Sequence, residues 1–382
     1  MSWLRDFLVE LLLTDTQVPF GETEIAPGDT KIVAAIDALL MPHLDEMDPD
    51  EVRRHDQGDI ALRFGPDRDD GLLIQTYIVS QHANLMEGKA GSVVEGGDLG
   101  LQGKAVLGQG ASQNKGPLAA AFAAVRKRPK NLSRPVWLAV NTEGRSSHGG
   151  SMRLLDDLGV TAAHGIVAFG TDLRVSLGNR GRVDVEVRVK GASSHSSQPW
   201  LGKNPIEGAA DVVTALRTTP LPAPDPDVGP ASATPYQFAC YPIAPHTIPE
   251  DVRIVVDRRL LPGETPDAAV DALRAHLAST EGIDVDTGVW MFPARVTADA
   301  PVVAALLEGT RRAGRREPET FWSLNAFDAG YACSKGIPTP MYGPGRRSFA
   351  GAGLVGNDAV ALGDCEAATL AYGFAIETLC AS

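Results

Sequence analysis

A glycine-rich loop that leads directly into an alanine-rich apolar segment constrains this chain more than any other stretch. Residues 108–116 are Gly-Gln-Gly-Ala-Ser-Gln-Asn-Lys-Gly, and residues 117–125 are Pro-Leu-Ala-Ala-Ala-Phe-Ala-Ala-Val. The three glycines permit tight turns, and Pro117 suits the first turn of a helix. Because alanine and leucine favour helices, the pattern predicts a loop that presents side chains at a helix N-terminus.

The loop lacks the complete motif of either a phosphate-binding loop or a dinucleotide-binding loop. A phosphate-binding loop requires Gly-Lys-Ser/Thr, whereas Lys115 is followed by Gly116. The Gly-x-Gly at 108 also lacks the third glycine of a dinucleotide-binding fingerprint. A turn with only a structural role stays open as an alternative.

Apolar strands alternate with helical segments on both sides of the loop. Residues 60–64, 72–79 and 136–140 are typical of buried strands, and 29–40 and 366–379 of helices. This alternation predicts an α/β domain with a mostly parallel sheet flanked by helices, over residues 1–178 plus 292–382.

The segment from 179 to 291 has a different pattern. Residues 182–189 alternate between polar and apolar side chains, as in a strand with one solvent-exposed face. The predicted order is strand, helix, strand, strand, helix, strand, which is typical of an α+β open-faced sandwich. We therefore expect residues 179–291 to form an inserted domain. The elements predicted here are strands at 182–189, 236–243, 252–260 and 283–290 and helices at 205–216 and 265–279.

Charge and cysteine usage exclude several classes of function. A net charge of −13 argues against nucleic acid and anionic membrane as partners. The four cysteines are scattered without a Cys-x-x-Cys pair, which disfavours a thiolate zinc site and predicts a reduced, cytoplasmic setting. No apolar stretch approaches the length of a membrane span.

The glycine-rich loop resembles the G-x-G-A-x-D-x-K-G signature of the di-zinc amidohydrolases and peptidases. This family includes aminoacylase, acetylornithine deacetylase and succinyl-diaminopimelate desuccinylase. The resemblance covers nearly the whole chain and implies that the inserted block is a lid and dimerisation domain, and hence that the protein is a homodimer. In the family the aspartate of the loop bridges two zinc ions, but here that position is Gln113, a neutral side chain that cannot offset the repulsion of two cations.

The other metal positions implied by the resemblance are also altered. The family's His-x-Asp pair corresponds either to Tyr77 or to His82, and we favour His82. Its Glu-Glu pair is reduced to Glu143, which matches either the general base or a metal ligand. Asp172 matches a later acidic ligand, whereas the C-terminal histidine is missing because the final histidine is His276. We therefore expect no metal cofactor. The alternative is one weakly held divalent ion, with ligands His82, Glu143 and Asp172.

The polar residues of the family's lid are largely retained. His195, within Ser-Ser-His-Ser-Ser-Gln-Pro, matches a histidine that in the family hydrogen-bonds the substrate oxygen in the partner's site. His246 takes the place of an asparagine that contacts substrate. Arg259 matches an arginine that would bind a carboxylate, and Asp328 matches an aspartate near the pocket.

Together these residues favour an enzyme acting on an amide or related C–N bond of an amino-acid-like small molecule. Glu143 would be the general acid/base, with His195 and His246 from the partner subunit stabilising a developing oxyanion. Without a metal-bound hydroxide, acyl transfer, cyclisation or condensation becomes comparable with hydrolysis. The alternatives are a non-catalytic small-molecule-binding paralogue and a metallohydrolase with an atypical single-metal site. The residues expected to bind substrate are Tyr77, His82, Gln113, Lys115, Arg259 and Asp328.

Overall fold

The computed structural model describes residues 2–19, 25–80, 89–143, 147–345 and 358–381. Contacts divide the chain into two compact units. The first comprises Met1–Gly178, Ala294–Trp322 and Asp328–Ser382, and the second comprises Asn179–Pro293 and Ser323–Phe327.

The α-helices are α1 (Ser2–Leu13), α2 (Thr30–Met47), α3 (Gly116–Arg126), α4 (Gly149–Met152), α5 (Pro205–Leu216), α6 (Pro266–His276), α7 (Pro301–Ala313), α8 (Ala329–Ser334) and α9 (Leu362–Cys380). The strands are β1 (Glu51–Arg54), β2 (Ile60–Phe64), β3 (Leu72–Tyr77), β4 (Val93–Glu95), β5 (Lys104–Leu107), β6 (Val136–Asn141), β7 (His164–Ala168), β8 (Val175–Asn179), β9 (Gly181–Lys190), β10 (Ser194–His195), β11 (Ser232–Tyr241), β12 (Thr247–Ile248), β13 (Asp251–Leu260), β14 (Ile283–Met291), β15 (Ala294–Arg295), β16 (Thr320–Ser323), β17 (Met341–Tyr342) and β18 (Ala359–Ala361).

The first unit is built on a large mixed sheet with the strand order β1-β2-β6-β3-β7-β17-β8-β15, and β16 pairs with β8. Its central strands β6, β3, β7 and β17 run parallel, while β2 and β8 add antiparallel neighbours. Every residue of β3 and β6 is buried, as expected for strands covered on both faces. The predicted fold class is confirmed. The carboxyl ends of the parallel strands share one edge, where open α/β sheets usually bind ligands.

Small residues allow the helices of the first unit to pack closely. In α3, Gly116 to Val125 are all buried, and the helix lies against α9 and α1. A Cβ atom on Gly309 of α7 would lie only 2.7 Å from the Cα of Ala371 in α9, so this crossing depends on a glycine. The alanine-rich stretch that defined the sequence pattern therefore forms the interior of this unit.

The second unit is an antiparallel sheet in the order β11-β13-β9-β14, with α5 and α6 packed on it. The alternation seen in β9 buries its valines, which form a core with Val212 of α5 and Leu273 of α6. Helix α5 begins where the sequence predicted, and the Asn204 side chain caps it by accepting a hydrogen bond from the Ile206 amide. The predicted element order of this block is confirmed.

Candidate functional site

The glycine-rich loop forms a single π-helical turn, Ala111–Lys115, immediately before α3. Gly110 precedes this turn with φ of +85°, a conformation that favours glycine. The Asn114 amide donates hydrogen bonds to the carbonyls of Tyr77 (3.1 Å) and Val79 (2.9 Å). These bonds hold the loop against the carboxyl end of β3.

Asp358 provides a second anchor for the loop. Its carboxylate accepts hydrogen bonds from the backbone amides of Gly110 (2.7 Å) and Ser112 (2.9 Å). Burial raises the pKa of Asp358, and these two hydrogen bonds oppose the rise. Sequence reasoning missed this anchor, because nothing in the local pattern connects an aspartate with a loop 248 residues away.

Lys115 lies in the interior of the first unit. Its side chain is only 1% exposed, and its ammonium donates a 3.0 Å hydrogen bond to the carbonyl of Thr14. Burial lowers the pKa of Lys115 to about 8, partly offset by the charge of Asp15. The structure thus connects Lys115 to the end of α1. Its expected role in binding substrate stays a prediction.

Two other predicted site residues lie at the carboxyl edge of the sheet. The Gln113 carbonyl accepts a 2.8 Å hydrogen bond from the amide of Gly170, just beyond β7. Tyr77 ends β3, and its buried ring lies 6.1 Å from that of Phe169. His82 lies outside the described residues, so the choice between Tyr77 and His82 for the first ligand position stays a prediction.

Glu143 follows β6 and is held by two side chains. Arg153 Nη1 lies 3.0 Å from its Oε2, and the Ser147 hydroxyl donates a 2.7 Å hydrogen bond to its Oε1. The Glu143 side chain keeps 14% of its surface exposed. The carboxylate is therefore oriented at the sheet edge and still accessible.

Arg153 also binds Asp59, which immediately precedes β2. Nη2 lies 3.2 Å from Asp59 Oδ1, and Nε donates to Oδ2. Asp59 is fully buried, and its Oδ1 accepts the backbone amide of Thr142 at 3.0 Å. We refer to these three side chains as the Asp59–Arg153–Glu143 cluster. Asp59 and Arg153 were missed from sequence, since they are separated by 94 positions and match no motif.

Asp328 belongs to a buried polar chain in the same unit. Its Oδ1 lies 3.7 Å from His148 Nδ1 and accepts a 3.1 Å hydrogen bond from the Ser151 hydroxyl. That hydroxyl in turn accepts a 2.6 Å hydrogen bond from the Gln75 amide. Asp328 and His148 are both almost completely buried, and the bond from Ser151 ties α4 to Asp328 in the interior of the unit.

Asp172, the third candidate metal ligand, pairs with an arginine. Its Oδ2 lies 2.5 Å from Arg316 Nη1, and its backbone amide donates to the Gly345 carbonyl at 2.8 Å. Its φ of +60° is unusual for a residue other than glycine, and the Gly345 bond helps to hold this conformation. Its negative charge is therefore already balanced by a guanidinium.

The predicted lid residues His195, His246 and Arg259 lie in the second unit. His195 on β10 and His246 next to β12 are exposed, and their rings stack with 6.1 Å between centroids. The Ser197 hydroxyl is 2.8 Å from His195 Nδ1. Arg259 pairs with Asp257 at 2.8 Å and is about one quarter exposed, whereas Arg258 points into the interior. The roles of these residues in catalysis stay predictions.

Comparisons with known proteins agree with this architecture. Residues 177–284 match the peptidase dimerisation domain. An M20 family metallo-carboxypeptidase from Sulfolobus solfataricus superposes with a TM-score of 0.76 and 16% identity over 99% of each chain. The aminopeptidase PepT from Bacillus cereus gives 0.71 and 17%, over 99% of this chain and 98% of that one. The chain thus has the fold of the M20 peptidases, with their dimerisation domain.

Sequence similarity to curated proteins is confined to segments. A succinyl-diaminopimelate desuccinylase from Acidiphilium cryptum is 30% identical over 125 residues, which are 30% of this chain and 34% of the relative. The chain spans between 34% and 42% of the length of the first curated relatives it matches. Within the described parts of the chain, no helix is long and apolar enough to cross a membrane.

The metal centre implied by a metallopeptidase fold can be tested against the donors present. Among the described residues, no three His, Cys, Asp or Glu side chains gather as metal ligands would. Glu143 and Asp172 are each paired with an arginine, and the bridging position is Gln113. These donors do not fit a pair of divalent ions. A single divalent ion is compatible with the chain. His82, one of its candidate ligands, lies outside the described residues.

Proposed function

We propose that this protein is an enzyme that acts on an amide or related C–N bond of an amino-acid-like small molecule, without a metal pair. The observation that carries the proposal is the carboxylate of Glu143, which is oriented by Arg153 and Ser147 yet keeps part of its surface open. It follows β6 at the carboxyl end of the parallel strands, where open α/β sheets usually bind ligands. A desuccinylase, a carboxypeptidase and an aminopeptidase among the similar proteins support the choice of bond.

Glu143 would transfer a proton from the attacking nucleophile to the leaving amine. A fixed carboxylate within reach of the substrate can accept a proton from an attacking nucleophile and return it to the leaving amine. The Ser147 hydroxyl and the Arg153 guanidinium use one carboxylate oxygen each, which fixes the plane of the group. Hydrolysis, acyl transfer, cyclisation and condensation all need this same proton transfer.

The second unit of the partner subunit in a homodimer would supply substrate contacts. His195 and His246 carry N–H donors that suit a developing oxyanion, and Arg259 suits a carboxylate. A homodimer is part of this proposal. It is supported by the dimerisation-domain match and by large apolar side chains exposed along β11, the edge strand of the sheet, including Tyr236 and Phe238.

The decisive test compares Glu143→Gln with wild type on a panel of N-acyl amino acids and dipeptides, each with and without a chelator. We expect wild-type turnover to survive the chelator and kcat to fall by about 100-fold or more in the variant, the usual contribution of a general acid/base. Glu281→Gln, an exposed glutamate of the second unit, is the matched control. Full activity of Glu143→Gln would exclude the assigned role.

A non-catalytic binding function is the second candidate. It is favoured by the fact that both oxygens of Glu143 already accept a hydrogen bond within the protein. Calorimetry with the same panel separates the two functions, since saturable binding with no product from any compound would support the binding protein.

A further inference from the structure

In the Asp59–Arg153–Glu143 cluster, two carboxylates surround one positive charge, as carboxylate ligands surround a bound metal ion. Three guanidinium nitrogens of Arg153 each contact a carboxylate oxygen, two from Asp59 and one from Glu143. The Arg153 side chain is 8% exposed and that of Asp59 is fully buried. Two acids thus converge on one positive charge that is almost completely removed from water.

Burial makes this positive charge essential to the two acids. An isolated buried carboxylate is very costly, and its cost is offset only by a well-placed cation and additional hydrogen bonds. Asp59 receives both, because the Thr142 amide also donates to it. Since Thr142 directly precedes Glu143, Asp59 and Arg153 together fix the chain at the end of β6.

Arginine is well suited to this position. Its planar fork can bind one carboxylate through two nitrogens and direct the third to another acid, whereas a lysine ammonium is a single flexible point charge. The side chain begins at the π-helical turn Arg153–Asp157 after α4, so its origin is fixed by the backbone. The backbone at Arg153 and the contacts with Asp59 together fix the position of the guanidinium.

We propose that Arg153 takes the electrostatic place of a metal ion in this protein. It holds Asp59 and Glu143 together, occupies three of their four carboxylate oxygens and halves their combined negative charge, which weakens their ability to bind a divalent cation. This inference rests on the metal-free function proposed above and names the group that makes it possible. A guanidinium donates hydrogen bonds but does not generate a metal-bound hydroxide. Activation of the nucleophile then depends on Glu143 itself.

The inference is tested by removing the guanidinium and supplying a metal. We expect Arg153→Met to lower the Tm and to bind Mn²⁺ at least about tenfold more tightly than wild type, with Mn²⁺ restoring part of the lost Tm. The Tm of wild type should not respond to Mn²⁺. Arg311→Met, which breaks an exposed ion pair with Glu308, is the control and should show neither effect.

A double variant keeps the test informative if Arg153→Met does not fold. Asp59→Asn combined with Arg153→Met removes one charge of each sign, so we expect it to recover much of the lost Tm without metal. A double variant as unstable as Arg153→Met, or Mn²⁺ binding to wild type that Asp59→Asn abolishes, would overturn the inference.

These outcomes are separate from those that test the enzyme itself. If Glu143→Gln keeps full activity while Arg153→Met gains Mn²⁺ binding, the proposed function fails and the role of Arg153 stands. If wild type binds Mn²⁺ through Asp59 and its amide-bond activity is lost with chelator, the role of Arg153 fails while activity on the amide bond stands.

Discussion

The two units of this protein hold their polar site residues in opposite ways. In the first unit, Asp59, Glu143 and Arg153 are buried or nearly so, and each is paired with a side chain of opposite charge. In the second unit, His195 and His246 are exposed and stack on each other. Because these charges are buried, losing one partner of a pair in the first unit should strongly lower the free energy of unfolding. Exposure leaves the histidines of the second unit available to a ligand at little structural cost.

The largest expected effect is at the buried acid. Replacing Asp59 with alanine leaves Arg153 with only Glu143 as its partner, and breaking a buried pair typically costs about 3–5 kcal/mol. Urea denaturation measures the loss. The matched control is Asp172→Asn, which tolerates the positive φ of this position and breaks a pair with Arg316 that is about 30% exposed, so it should cost under about 1 kcal/mol. Equal losses in the two variants would contradict the distinction between buried and exposed pairs.

A smaller effect that depends on pH is expected at Lys115. Its pKa in the folded protein is about 8, below the ordinary value of 10.5, so the unfolded chain binds more protons between these two values. The free energy of unfolding of wild type should therefore rise relative to Lys115→Met by up to about 3 kcal/mol as the pH increases from about 8 to 10.5. Denaturation across this range measures the difference, which would be constant if Lys115 were exposed. Lys31→Met, at an exposed lysine, is the control.

The smallest effect on stability is expected in the second unit. Replacing His195 or His246 with alanine removes an exposed side chain, and the free energy of unfolding should change by no more than about 0.5 kcal/mol. On the proposed function, kcat should nevertheless fall by about 100-fold, the cost of losing an oxyanion donor. Unfolding and turnover measured on the same samples separate the two quantities. Unchanged kcat in both variants would remove the histidines from the site.

Much of the fold follows from local patterns. The buried strands and the helix from Pro205 to Leu216 were predicted with nearly correct bounds, because apolar periodicity and capping act over a few residues. Helix α2 was predicted to end near Leu40 but continues to Met47 through Pro42. There tertiary packing of Leu44 and Met47 outweighs the helix-breaking tendency of proline.

The candidate site was only partly predictable. Glu143 and Gln113 follow recognisable strand and loop patterns, and the structure brings their segments to the sheet edge. Lys115 belongs to the same loop pattern, yet its side chain turns inward to α1. The direction in which a loop side chain points depends on what packs against it, and that information is distant in sequence.

By itself, the amino-acid sequence determined the order of elements, the inserted domain and the absence of any histidine beyond His276, because these depend on local periodicity and on residue identity. The tertiary structure alone decided that Arg153 lies between Asp59 and Glu143 and that Asp358 binds the glycine-rich loop. Charges pair through space, and the strands that bring these side chains together are joined only when the chain folds.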